Sequence, residues 1–458
     1  MEPEKGKAPG RSSPEGVSTR LRRIAELARE APGMAFTTLA HHIDVEFLRE
    51  AHDRTRKDGA VGVDGQTAEA YGADLEGNLQ LLLGAFKTGS YYAPPVRRVH
   101  IPKGDGKTRP IGIPTFQDKL LQRAVTMVVG EVYEQDFLDC SYGFRPGRSA
   151  HQALEALWRG LMAMNGGWVV EVDIRSFFDT LEPSHLRAFL DRRVRDGVLR
   201  RTIDKWLKAG VLEEGRVRHP DTGTPQGGVI SPLLANIYLH HVMDCWFRDE
   251  VEPRLAGKSF MIRYADDLVV VCAREEDARR VLAVLPKRFG RYGLELHPEK
   301  TRLVRFPKPG RDDEDRPDGG SGQGGSFDFL GFTHHWGWSA KGRKWVVKRK
   351  TASGRLSRGL KAIRDWVRRH RHEKLSEQHR TLSRKLQGHY AYYGITGNAR
   401  ALGNFLRQVE REWKKWLGRR SQRAALTWDR FGQLLNRYRL PPVRVVHSIY
   451  RNAANAVT

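Results

Sequence analysis

Cysteine is scarce in this chain: Cys140, Cys245 and Cys272 are the only three in 458 residues. They lie far apart and form no CxxC pair. This excludes a disulfide-framed secreted module and a cysteine-rich zinc module, and it suits a reducing compartment. Long apolar runs are missing too. No stretch approaches about 18 apolar residues, so no membrane span is expected. The opening MEPEKGKAPGRSSPEG has no apolar core, so no secretory signal is expected either. No internal repeat is visible, and no nucleophile-elbow pattern supports a hydrolase triad.

Acidic residues are nearly absent from one region. Residues 327–458 hold 30 Lys+Arg and 7 Asp+Glu. That deficit explains almost the whole charge excess: +25 for the chain, +23 in these last 132 residues, and only +2 in 1–326. A concentrated excess marks a surface for a polyanion more often than a merely solvated face. What is present in quantity is core-forming material, with 39% hydrophobic residues. The chain reads as a soluble, basic, cytoplasmic protein of about three structural units.

The pattern along the chain mixes helices and strands. Residues 1–30 read as a flexible tail leading into a short helix. Residues 80–86 form a helix ending at Gly89. Short apolar pieces at 96–102 and 109–113, separated by Lys-Gly-Asp-Gly, predict a hairpin with a basic turn. Helical spacing covers 118–134 and 182–194, and a buried strand covers 168–172. GTPQGG (223–228) is a loop leading into SPLLANIYLHHVMDCWF, whose Leu234, Tyr238 and Val242 fall at four-residue steps on a buried helix face. Two apolar strands, 260–262 and 268–272, flank the polar centre RYADD. A helix over 276–292 follows, then a charged Gly-rich loop at 307–326, a strand at 327–332, and a mostly helical basic region from about 355.

Carboxylates carry the strongest chemical signal. Asp173 closes the run VVEVD, and Asp266-Asp267 sits at the tip of the expected hairpin between FMI and LVVV. Alone, Asp-Asp reads as the polar turn of a hairpin. On so apolar a ribbon, beside a second strand-end Asp, paired carboxylates are costly unless a cation compensates them. Three carboxylates suit two Mg²⁺, a hard ion that takes oxygen ligands. Two such ions about 3.5–4 Å apart clamp the attacking and leaving oxygens of nucleotidyl transfer. Lys103, Lys107 and Arg109 crowd the 96–113 hairpin, where they are either a solvated turn or a triphosphate contact. Gly227 and Gly228 allow close backbone approach to a ligand. His334-His335 has no third ligand nearby, which disfavours a metal. Trp413, Trp416 and Trp428 fall in helical, basic sequence, and most aromatics there are expected in helix–helix cores.

Taken in order, the blocks GAVGVDG, PPVRRVHIPKGDGKTRPIGIPT, SYGFRPGRSAHQAL, VVEVDIRSFFDTL, GTPQGGVISPLLANIYL, IRYADDLVVVC, GLELHPEKT, FDFLGFTHHWG and GHYAYYGITGNARAL resemble bacterial group II intron-encoded reverse transcriptases with a maturase domain. The stretch FLGFTHHWGWSAKGRKWVVKRKT is most similar to the endonuclease-free, class C-like subgroup. The resemblance runs over about 36–450. It implies an α+β right-hand polymerase: a flexible tail over 1–30, fingers and palm with an antiparallel sheet over 31–350, and an α-helical thumb/maturase domain over 351–458. It implies that Asp173, Asp266 and Asp267 are catalytic and hold two Mg²⁺, with the backbone carbonyl of Ile174 as a further ligand. It implies nucleotide contacts from Lys103, Arg109, Phe178, Gln226 and Lys300, and a primer grip at Leu330 and Gly331. Phe178, five residues after Asp173, would clash with a ribose 2′-OH and so favour deoxynucleotides.

The partners implied are group II intron RNA, an RNA template with a DNA primer, dNTPs and target DNA, with no membrane, in a bacterial cytoplasm. The chain ends at Thr458 without the DNA-binding and endonuclease regions of larger members, so second-strand cleavage is not expected. Two other roles stay open. One is an RNA-binding splicing factor that needs no polymerase activity. The other is a domesticated relative in DNA repair or phage defence.

Overall fold

Apolar residues at three- and four-residue steps build most of the helices, and apolar runs ending in acids build the central strands. The computed structural model describes residues 16–102, 108–213, 216–218, 227–310, 325–339, 342–421 and 426–448. It divides into two compact units, one of Met1–Arg145, Ile174–Asp249 and Lys287–Glu295, the other of Pro146–Asp173, Glu250–Pro286 and Leu296–Thr458. Together they form an α+β protein. Among the described residues no helix is long and apolar enough to cross a membrane.

In the first unit, helix Val17–Glu30 buries Val17, Leu21, Ile24, Ala25 and Ala28 against helix Phe116–Glu134. The tail expected over 1–30 is therefore helical from Val17 onward. The apolar stripe is easily overlooked because charged residues interrupt it at every turn. The Thr115 hydroxyl caps helix Phe116–Glu134 by accepting from the Asp118 N–H at 3.2 Å. Helix Leu75–Thr88 ends at Gly89, whose φ of 80° closes the last turn.

The expected hairpin is present, with Val96–Pro102 antiparallel to Thr108–Ile113. Val96–Pro102 also pairs in parallel with Val211–Glu213, which pairs with Arg216–Arg218. The hairpin's basic turn, with Lys103 and Lys107, lies outside the described residues. SPLLANIYL is α-helical over Ser231–Leu239, but the helix then widens into π-turns at His240–Asp244 and Phe247–Val251.

The second unit holds a four-stranded antiparallel sheet in the order Arg302–Pro307, Gly166–Val172, Asp267–Cys272, Ser259–Tyr264. A separate three-stranded sheet is formed by Phe327–Phe329, Phe332–Ser339 and Lys344–Thr351. The single strand expected over 327–332 is thus two strands joined by a two-residue turn, Leu330–Gly331, in which both residues have positive φ. Residues 311–324 of the charged Gly-rich loop lie outside the described residues.

Helices Ser353–Arg369, Leu375–Tyr393, Ala399–Leu417 and Trp428–Arg437 follow, around a core that includes Val367, Leu382, Leu386, Leu402, Val409 and Trp413. Trp413 is wholly buried, and its indole N–H donates to Gln378 Oε1 at 2.9 Å. The Gln378 amide in turn donates to the carbonyls of His370 and Glu373. Trp428, by contrast, is 57% exposed, with the Lys414 ammonium over its ring at 4.6 Å.

Trp413→Ala removes a fully buried indole and leaves Gln378 without a donor. It should lower the unfolding free energy by about 3–5 kcal/mol in urea denaturation.

Candidate active site

Strand register brings the predicted carboxylates to one end of the sheet. Val172 lies opposite Leu268 in the antiparallel pair, so Asp173 and Asp267 leave the same edge. The hairpin on the other side pairs Tyr264 with Asp267, leaving Ala265 and Asp266 as a two-residue turn. Ala265 has a φ of 56°, a conformation that is rare outside glycine. Arg263, wholly buried, holds that turn by donating to the Ala265 carbonyl at 3.1 Å.

Asp173 is anchored through its backbone. Its carbonyl accepts from the His297 N–H at 2.8 Å, and Thr301 Oγ1 stands 3.4 Å from both its N–H and its carbonyl. Its carboxylate meets Lys300 Nζ at 3.3 Å. Both partners are partly solvated, so this pair contributes little to stability and is free to exchange. Two residues earlier on the same face, Glu171 pairs with Arg302 and accepts from the Asp328 N–H at 3.0 Å. Burial raises its pKa, opposed by Arg302.

These groups open into a cavity of about 510 Å³. Asp173, Asp267 and Lys300 line one side, and Leu330, Gly331 and Arg355 are also in its wall. Asp267 is exposed and lines the cavity. Desolvation pushes its pKa up to about 6, repulsion from Asp266 and then Asp173 adds to this, and Arg355 and Lys300 oppose it. A carboxyl held up in this way is short of solvent first and crowded by like charge second. Asp173 and Asp267, both hard oxygen donors in the cavity wall, suit a divalent cation in kind.

The other predicted residues lie elsewhere. Asp266 is half-buried in the turn and does not line the cavity. Ile174 is buried and Phe178 half-buried against Phe177 (ring centroids 5.3 Å apart), and both belong to the first unit. Arg109 also belongs to that unit, exposed on strand Thr108–Ile113. Lys103 and Gln226 lie outside the described residues. Gly227 has a φ of 120°, and a Cβ there would meet the Gly112 carbonyl at 2.4 Å. The close approach seen here is to the backbone of its own chain. Sequence reasoning missed Glu171, Arg355 and Arg358 of this cavity. Glu171 was open to discovery, because it stands two residues before Asp173 on a strand and so shares its face.

Two histidine features are better read as packing. His334 and His335 are successive on a strand and point to opposite faces, so they cannot share an ion. His334 stacks on Phe327 at 4.8 Å, and burial pushes its pKa down to about 3. His240, His241 and Cys245 bring ligand atoms within 4.8 Å of one another. However, Arg192 stands 3.4 Å from His241 Nδ1, and burial pushes the Cys245 thiol up to about 11. A cationic neighbour and a protonated thiol both oppose metal binding.

Comparison with known proteins gives an independent reading. Residues 101–334 match the family described as reverse transcriptase (RNA-dependent DNA polymerase). Protein YkfC of Escherichia coli (strain K12) is 34% identical over 329 residues, covering 63% of this chain and 84% of that protein. The group II intron-encoded protein LtrA of Lactococcus lactis subsp. cremoris is 38% identical over 229 residues, 48% of this chain and 37% of LtrA. Nuclear intron maturase 2, mitochondrial, of Arabidopsis thaliana is 27% identical over 176 residues, 30% of this chain and 24% of that protein. The chain thus spans most of YkfC but little more than a third of LtrA.

A carboxyl whose folded pKa lies above its unfolded value of about 4 binds its proton more readily when folded. Ionising Asp267 therefore costs stability, a cost absent below about pH 4 and complete above about pH 6. Asp267→Asn should raise the unfolding temperature at pH 8 and leave it unchanged near pH 4. Thermal melts across this range check the sign.

Proposed function

The chain belongs to the reverse transcriptase family, in its group II intron-encoded, maturase-related branch, and from that premise we propose that it extends a DNA primer on an RNA template in the Asp173–Asp267 cavity. The observation that carries this reading is the strand register that sets Asp173 and Asp267 side by side at one end of the sheet, in the wall of one cavity. We assign fingers and palm to residues 31–350 and the thumb/maturase domain to 351–458.

Elongation joins the primer 3′-oxygen to the α-phosphorus of a deoxynucleotide and releases pyrophosphate. Asp173, Asp266 and Asp267, with the Ile174 carbonyl, would hold two Mg²⁺. When bound, this pair supplies Lewis-acid activation of the 3′-oxygen and neutralises charge on the phosphates. Lys300, loosely paired with Asp173 at 3.3 Å, is free to turn to a phosphate once the carboxylate takes another partner. Lys103 and Arg109 would bind the triphosphate, which needs cations on the side away from the carboxylates. Gln226 would pack on the incoming nucleotide. Phe178 would exclude the ribose 2′-OH by contact. Leu330 and Gly331, in the cavity wall, would support the primer end.

The helical region supplies the RNA-binding surface, which suits a second role in folding and splicing intron RNA. Residues 351–458 hold 24 Lys+Arg and 6 Asp+Glu, a charge of +18, far more than one short duplex end requires. Target-primed synthesis at DNA would use the same cavity.

Asp266→Ala should abolish primer extension on an RNA template while leaving RNA binding within about twofold. A variant that polymerises at the wild-type rate would show the site to be wrong. Phe178→Ala should admit ribonucleotides in a misincorporation assay. Neutralising Lys414, Lys415 and Arg419 together should weaken RNA binding and flatten the slope of log K against log salt, by about 0.7–0.9 for each phosphate no longer neutralised.

A further inference from the structure

The Leu330–Gly331 turn is held in an unusual conformation at the cavity wall. Leu330 has a φ of 48°, which a leucine rarely adopts, and Gly331 a φ of 81°. Such geometry persists only where the surroundings over-determine it. Here the Tyr392 hydroxyl donates to the Leu330 carbonyl at 2.9 Å, and its ring stacks on Phe332 at 5.8 Å. The Ala352 N–H donates to the Gly331 carbonyl at 3.0 Å. A Cβ on Gly331 would meet the Tyr393 hydroxyl at 3.3 Å, so the turn rests directly on this tyrosine pair.

Tyr392 is fixed from behind as well. It lies in the last turn of helix Leu375–Tyr393, where backbone carbonyls have no partner within the helix. His151 Nε2 lies 2.8 Å from the Tyr392 carbonyl, and His447 Nε2 lies 2.8 Å from the Ala391 carbonyl. The two imidazoles stack with centroids 3.5 Å apart. Burial, with Tyr393, Tyr264 and Asp267 nearby, pushes the Tyr392 phenol up to about 12, so it stays protonated and able to donate.

We propose that Tyr392 is a positioning residue for the polymerase reaction. Its hydroxyl holds the Leu330 carbonyl, and with it the turn that seats the primer end beside Asp173 and Asp267, while His151 and His447 set Tyr392 itself. The inference rests on reading that cavity as the polymerase site. Tyr392 does not touch the reacting atoms; it acts through the turn.

Tyr392→Phe keeps the ring and its stack on Phe332 and removes only the O–H. Single-nucleotide extension with the purified full chain, an RNA template and a DNA primer should show the maximal rate falling about 2- to 10-fold, the loss of one hydrogen bond. The KM for template–primer should stay at the wild-type value, and the unfolding temperature should fall by no more than the few degrees one hydrogen bond contributes. His447→Ala should slow the reaction in the same sense. The double variant should be no slower than the worse single one, because both act through one turn.

A wild-type maximal rate for Tyr392→Phe overturns the assignment. So does a loss carried entirely by KM or by a lowered unfolding temperature. Additive losses would remove His447 from the relay. Asp173→Asn, a change in the cavity wall itself, assayed beside them, separates the two claims. If it still extends primers, the reading of the cavity falls. If it is inactive while Tyr392→Phe is unimpaired, only the role of Tyr392 falls.

Discussion

The antiparallel register between Gly166–Val172 and Asp267–Cys272 is the constraint on which the site depends. With Val172 opposite Leu268, Asp173 and Asp267 emerge together at one end of a sheet whose interior is Val, Leu and Cys. A slip of one residue would turn every side chain of one strand to the opposite face, sending valines into the cavity and carboxylates into the core. The apolar content of both strands therefore does more than build a core. It fixes the register, and the register gathers charges that would otherwise move apart.

Gathering those charges has a cost that the surrounding cations only partly offset. Arg355 and Lys300 oppose the rise in the Asp267 pKa but do not cancel it. Full neutralisation by arginine would leave no vacancy for a bound cation, whereas an uncompensated acid cluster would weaken the hairpin tip. The observed balance lies between these, with Lys300 held by a solvated, exchangeable contact and Arg302 committed to Glu171. The strained Ala265 and Leu330 belong to the same arrangement, each in a two-residue turn that holds backbone where a regular strand would run on. Arg263 holds the first of these turns and Tyr392 the second.

Much of this was legible in the sequence because it is local. The hairpin 96–113, helix Phe116–Glu134 and the strands around RYADD follow from period and turn residues, and their bounds shift by only a few positions. The carboxylates were legible because Asp at the end of an apolar run is conspicuous. Less accessible were features set by distant partners. The hairpin after Gly331 was obscured by histidines and tryptophans that do not alternate cleanly with polar residues. The length of helix Val17–Glu30, expected only as a short helix after a tail, was obscured by its charged residues, and the π-turns after Leu239 have no simple sequence signature. Tyr392 stands more than a hundred residues from the aspartates, and nothing in its immediate sequence points to the Leu330 carbonyl.

The central claim is that carboxylates on these two strands are kept short of counter-charge so that a divalent pair can enter with the substrate. The most direct test counts bound Mn²⁺ by electron paramagnetic resonance. The sample would be the full chain with an RNA template, a dideoxy-terminated DNA primer and the matching dNTP, corrected for nucleic acid and nucleotide alone. About two tightly held ions per protein are expected, displaceable by Mg²⁺, with occupancy lost in Asp173→Asn. Equal Mn²⁺ binding by the wild type and Asp173→Asn would contradict it.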